Sequence, residues 1–256
     1  MAFEVYVGTR TRFYRRDWEN VAQRMAREQG IQYTMIYSGG KPEAPPPATD
    51  IRQAVTGWCR ALSGGLEVHG CGPAQWDEGD QQPYFTDRPA WDGYSALLVW
   101  AAHAEHPDLP VPGEVPESWV DDPAYVRSTV REYKSRFRTI LEPQLWLPTE
   151  FPFVFDAPTI VSDDKTCIGS AFTLKLQLDE LHAQTAEKLE QLKSTRQTVP
   201  SSPKKAGLFG SLLRGKKREP DPPKAGLAKT AAFGLQLFRD LATKACEHRL
   251  PILLSF

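Results

Sequence analysis

"LPILLSF", Leu250–Phe256, decides the fold. A short run of branched aliphatic residues at a chain end is costly to leave in water, so it is predicted as a strand that joins a sheet rather than a free tail. Its partner is "FEVYVG", Phe3–Gly8, rich in β-branched and aromatic residues and closed by glycine. Pairing these two runs ties the ends of the sequence together. The fold class expected is therefore α/β (or α+β), a small mixed β-sheet flanked by helices, with the N- and C-terminal strands in the same sheet.

Inward from those ends, Asp17 or Asn20 caps a helix carrying Trp18, Val21, Ala22 and Met25, and Gly30 stops it. "IQYTMIYS" (Ile31–Ser38) reads as a second strand, and "GGKPEAPPPATD" as a loop. From Asp50 a helix turns Ile51, Val55, Trp58, Cys59 and Leu62 inward, closed by Gly64 and Gly65 and followed by a strand, "LEVHG" (Leu66–Gly70). Strand, helix, strand, helix, strand favours crossovers and a parallel or mixed sheet. Cys71–Gly93 then shows no periodicity. Helices are predicted over Asp92–His106, Asp122–Arg138, Gly169–Lys193 and Leu227–His248. The prolines of "LEPQLWLP" and "FPFVFDAPTIV" place those extended segments at edges or bends. Residues 1–194 and 226–256 are expected to form one domain, interrupted at 195–225 by a flexible insertion rich in proline, lysine and arginine.

The chain has 256 residues, 41% of them hydrophobic and 25% charged, which is ordinary globular usage. Its formal net charge of -1 argues against a dedicated nucleic-acid binder. Charge is unevenly spread, however. Between Leu66 and Tyr125 twelve acidic side chains face Arg88 alone, with basic blocks on either side. Such segregation suits a cationic partner. The four cysteines form no CxxC pair, the start of the sequence carries charge where a signal peptide needs an apolar run, and the longest apolar run, "ALLVWAA" (Ala96–Ala102), is short; a cytoplasmic location is expected.

No nucleophile elbow, phosphate-binding loop or dinucleotide fingerprint occurs, and no cofactor or metal is expected. Two clusters offer an enzymatic alternative. Cys167, in "SDDKTCIGS", precedes the predicted helix start, where backbone amides and Lys165 favour a thiolate; in the competing reading Asp163, Asp164 or Thr166 caps the helix and Cys167 packs as a small apolar residue. His69 and Cys71, with His103, form a second group of imidazole and thiol, but His103 and His106 lack the spacing of paired helical zinc ligands.

The aperiodic tract is the stronger functional signal. Trp76, Asp77, Glu78, Asp80, Tyr84, Phe85, Asp87 and Trp91 combine aromatic anchors with carboxylates, the composition of a surface that engages a basic protein. The same residues would also serve to cover a sheet edge. The expected function is thus a non-enzymatic protein-binding module, like an immunity protein or a regulatory adaptor of prokaryotic type, and homo-oligomerisation is compatible with it. In the insertion, Leu208, Phe209, Leu212 and Leu213 form one face of a short amphipathic segment among basic residues. That makes a candidate docking segment and a marginal membrane anchor, since stable attachment needs a second signal.

Overall fold

The computed structural model describes residues 3–33, 47–160, 164–197 and 226–255. Their strands are β1 (Glu4–Val7), β2 (Phe85–Asp87), β3 (Leu145–Leu147), β4 (Phe155–Pro158), β5 (Lys165–Ser170) and β6 (Ile252–Ser255). They form one mixed sheet in the order β2-β1-β6-β3-β5-β4, so the two chain ends do pair: Val5 lies opposite Leu254 and Val7 opposite Ile252. Only β3 and β5 run parallel among the described strands. Strand alternation divides the core in two. Val5, Val7, Trp146, Ile252 and Leu254 enter one hydrophobic cluster, while Tyr6, Leu145, Leu147, Ile168 and Leu253 enter the other.

The helices are α1 (Arg10–Arg15), α2 (Val21–Glu28), α3 (Ala48–Val68), α4 (Ala90–Glu105), α5 (Pro123–Thr129), α6 (Arg138–Leu141), α7 (Ala171–Gln197) and α8 (Leu227–His248). Residues of α4, α7 and α8 fill the first cluster; α4 is buried on all sides from Gly93 to His103, which is why "ALLVWAA" carries no polar stripe. The second cluster is closed by Leu66 of α3, with Phe13, Trp18, Trp58 and Leu62 packed on it. Sheet and helices thus make three layers.

Several expectations are corrected. Asn20, not Asp17, caps α2, in a capping box with Gln23. Ile31–Tyr33 is not a strand, and Thr34–Ser38 lies outside the described residues. "LEVHG" is not a strand either: α3 continues through Gly64 and Gly65 to Val68 because Ile51, Val55 and Leu66 share its buried face. Two helical glycines cost on the order of 2 kcal/mol together, about what burying Leu66 returns. The predicted helix Asp122–Arg138 breaks at Val130, whose ψ of 135° leaves the helical region. The Glu105 carboxylate holds the next stretch in a non-helical path, accepting from Ser135 Oγ at 2.7 Å and Arg136 N at 2.6 Å.

β3 is an inner strand, not an edge or bend, since Pro143 and Pro148 stand just outside it. β4, which ends on Pro158, is the edge. Of the residues expected to cap α7, Thr166 instead lies in β5 with Cys167, Asp164 precedes that strand, and Asp163 lies outside the described residues. Within β5, Gly169 lies so close to its neighbours that a Cβ would come within 2.9 Å of both Pro143 and Thr139. The insertion, including Leu208, Phe209, Leu212 and Leu213, falls largely outside the described residues, and α7 runs to Gln197, past its expected start.

Candidate binding surface

The acidic aromatic tract is not one surface. Its first half straps α1 to α3. Glu78 accepts from the main-chain nitrogens of Arg10 at 2.9 Å and Thr11 at 2.7 Å, and from the Trp76 indole. Asp77 accepts from Gly79 N at 2.8 Å and Gln82 Nε2 at 2.6 Å, bonds that hold its carboxyl below the usual carboxylate range. Asp80 pairs with Arg52 at 2.7 Å, while its carbonyl takes a second bond from Arg12. The Tyr84 ring stacks on Tyr6 and its hydroxyl accepts from Glu19 N. These groups are spent on the protein itself.

Arg10 is held in the same strap with 2% of its surface exposed. Its guanidinium lies 4.4 Å from the centre of the Trp58 ring and donates to Tyr14 Oη at 2.6 Å. The indole face and the Tyr14 bond hold the guanidinium in place, although its Nε and Nη1 are buried without a hydrogen-bond partner among the described residues.

The second half of the tract faces the other layer. Phe85, on β2, packs beneath Lys244 and His248 of α8, and Asp87 accepts from Arg88 N at 2.7 Å. Trp91, on the first turn of α4, keeps 46% of its surface exposed while its ring lies 4.9 Å from Phe3.

Trp91 opens onto a groove that the first half of the tract does not reach. It holds about 510 Å³ and is lined by Trp91, Asp92, Ser95, Glu114, Glu117 and Trp119, among others. One side is α4; the other is the segment leading to a 3-10 turn at Trp119–Asp121. That segment is fixed to the start of α8 by Leu227 N, which donates to Gly113 O at 3.0 Å. Trp119 is set by edge contacts with Tyr94 and Tyr125. Among the described residues no lysine or arginine lines the groove, and Asp92, Glu114 and Glu117 form no ion pair. The groove thus brings two indoles and three carboxylates together, groups whose faces and charges attract cations. In the sequence Glu114 and Glu117 stand among the twelve acids of Leu66–Tyr125, and nothing local sets them or Trp119 apart from the rest of that tract.

The enzymatic alternatives are not assembled. Cys167 lies within β5 rather than at a helix start, and burial, with Glu142 and Asp156 adding to it, pushes its thiol up to about 12. His103 is buried in α4 and bonds Asp122 at 3.2 Å. His69 and Cys71 follow α3 in the opposite layer, where His69 packs edge-on against Phe153. Among the described residues no three histidine, cysteine or acidic side chains are placed to hold a metal ion. His106 is also structural: it bonds Ser128 Oγ at 3.0 Å, and burial with the Arg127 charge pushes its pKa down. No described helix is long and apolar enough to cross a membrane.

Comparison of the chain with family models, with curated proteins and with solved structures finds no match.

Proposed function

We propose that the protein is a non-enzymatic binding module that recognises a basic segment of a partner protein, in the manner of an immunity protein or a regulatory adaptor. The observation that carries this reading is the groove between Trp91 and Trp119, lined by Asp92, Glu114 and Glu117 with no lysine or arginine beside them among the described residues. Tryptophan supplies contact area and a face for an ammonium or guanidinium group, and the carboxylates steer the encounter. The reading moves the recognition surface from Trp76–Asp87 to the start of α4 and the segment facing it.

Fluorescence anisotropy of a labelled octa-arginine peptide tests the assignment. Replacing Asp92, Glu114 and Glu117 by Asn, Gln and Gln should weaken binding by about tenfold or more, whereas Asp77→Asn with Asp80→Asn should leave it nearly unchanged. The opposite ranking would return the site to the strap.

A further inference from the structure

The acidic groove has a candidate occupant in its own chain. Residues 198–225 lie outside the described residues, and the described chain resumes at Gly226, the residue before α8. That point stands at the rim of the groove. Leu227 N donates to Gly113 O at 3.0 Å, and a Cβ on Gly226 would come 3.3 Å from the same oxygen. Glu114 follows Gly113 directly, and Thr230, about one turn into α8, lines the groove together with Glu114 and Glu117. Whatever precedes Gly226 is therefore tethered beside three carboxylates.

The sequence so tethered is basic. From Arg196 to Arg218 there are seven lysines and arginines and no acid, and four of them fall in "RGKKR", Arg214–Arg218. The seven residues "EPDPPKA" join Arg218 to Gly226, a proline-rich span that reaches about 25 Å when extended. Glu219 and Asp221 offset only part of the charge, since Arg214–Ala225 holds five basic side chains against these two acids. A tether this short holds its segment at an effective concentration on the order of millimolar beside the groove. Even a weak intrinsic affinity then fills the site, and a cation arriving from solution has to displace what is already there.

We propose that Arg214–Arg218 docks in the groove of its own chain, its cations on Asp92, Glu114 and Glu117, and so competes with the basic partner for one site. The inference rests on the reading of the groove as the surface for a basic segment and adds the regulation of that surface: the partner binds by displacing the tethered segment.

The test uses the full chain, labelled octa-arginine and an ionic strength of about 0.15 M. Replacing Arg214, Lys216, Lys217 and Arg218 by Gln should tighten octa-arginine binding at least about tenfold, as read by anisotropy. Replacing Arg16, Arg60, Arg131 and Lys134 by Gln, exposed cations with no ion pair among the described residues, changes the net charge equally and should leave affinity within about twofold. With Asp92, Glu114 and Glu117 already neutralised, the change at Arg214–Arg218 should have less than about a twofold effect. Without any ligand, the amide signals of Asp92, Glu114 and Glu117 should differ between the parent and the variant changed at Arg214–Arg218. Equal affinity of those two proteins, or an equal gain in the charge-matched control, would overturn the proposal while leaving the groove reading in place. Binding of octa-arginine by neither protein would overturn both. A parent dimer in sedimentation velocity that is lost in the variant would assign the segment to the groove of a second copy, and so overturn docking within one chain.

Discussion

The Glu78 carboxylate accepts from the main-chain nitrogen of Thr11 at 2.7 Å, with a second bond from Arg10 N, and so anchors the loop after α3 to the first turn of α1. An acid that looked available to a partner is a structural link across sixty-odd residues of sequence. Glu78→Ala should lower stability by about 1–3 kcal/mol, because partly buried donors lose a charged acceptor. Asp77→Ala, which removes a solvent-exposed carboxylate, should cost clearly less. Chemical denaturation of both variants gives the comparison; equal losses would contradict it.

Helices α4 and α8 cross where Gly93 meets Gly234. A Cβ on Gly234 would fall on the Gly93 carbonyl, 3.0 Å from its carbon, whereas a Cβ on Gly93 meets nothing closer than Pro89 Cβ at 3.6 Å. Gly234→Ala should therefore cost about 1–3 kcal/mol by forcing the helices apart. Gly93→Ala should be neutral or stabilising by up to about 1 kcal/mol, since alanine favours the helix. Thermal melts of the two variants should move in different directions or by clearly different amounts.

The structure explains which parts of the fold could be read in advance. "FEVYVG" and "LPILLSF" were legible as strands because composition and pairing need agree in each. Leu227–His248 was legible as a helix because its period is sustained. The misreadings share a non-local cause. Leu66 keeps α3 helical through two glycines by inserting under the sheet, and Glu105 holds Ser135 and Arg136 away from a helix their own periodicity favoured. The site behaved likewise. Acids and aromatics marked the region, but only the fold decides that Glu78 points to α1 while Glu114 and Glu117 share a groove with Trp91.

Glu4 offers a pH signature. Its side chain is 3% exposed within β1, and burial raises its pKa above the ordinary 4.5 although Arg88, 3.9 Å away, draws it down. Below pH 4.5 the carboxyl is protonated in both folded and unfolded chains and contributes nothing to pH dependence. As pH rises past that value the unfolded chain releases its proton first, so the folded state loses relative stability until the buried group also ionises. Glu4→Gln should then melt at a higher temperature than the parent at pH 7, with the difference shrinking towards pH 4. A variant less stable at pH 7 would show that the ion pair with Arg88 outweighs burial.

With its thiol pushed up to about 12 from an ordinary 9.0, Cys167 holds roughly a thousandth of the usual thiolate at pH 8. Iodoacetamide should modify it far more slowly than it modifies free glutathione, as followed by mass spectrometry of the Cys167 peptide. Faster alkylation than glutathione would restore Cys167 as a candidate nucleophile.

Amide chemical-shift mapping with unlabelled octa-arginine is the most direct test of the binding surface. The account predicts shifts concentrated at Trp91–Ser95, Glu114–Trp119 and Thr230, around the groove, with the indole signals of Trp91 and Trp119 among the largest. Shifts concentrated instead at Trp76–Asp80, with the groove unmoved, would contradict it.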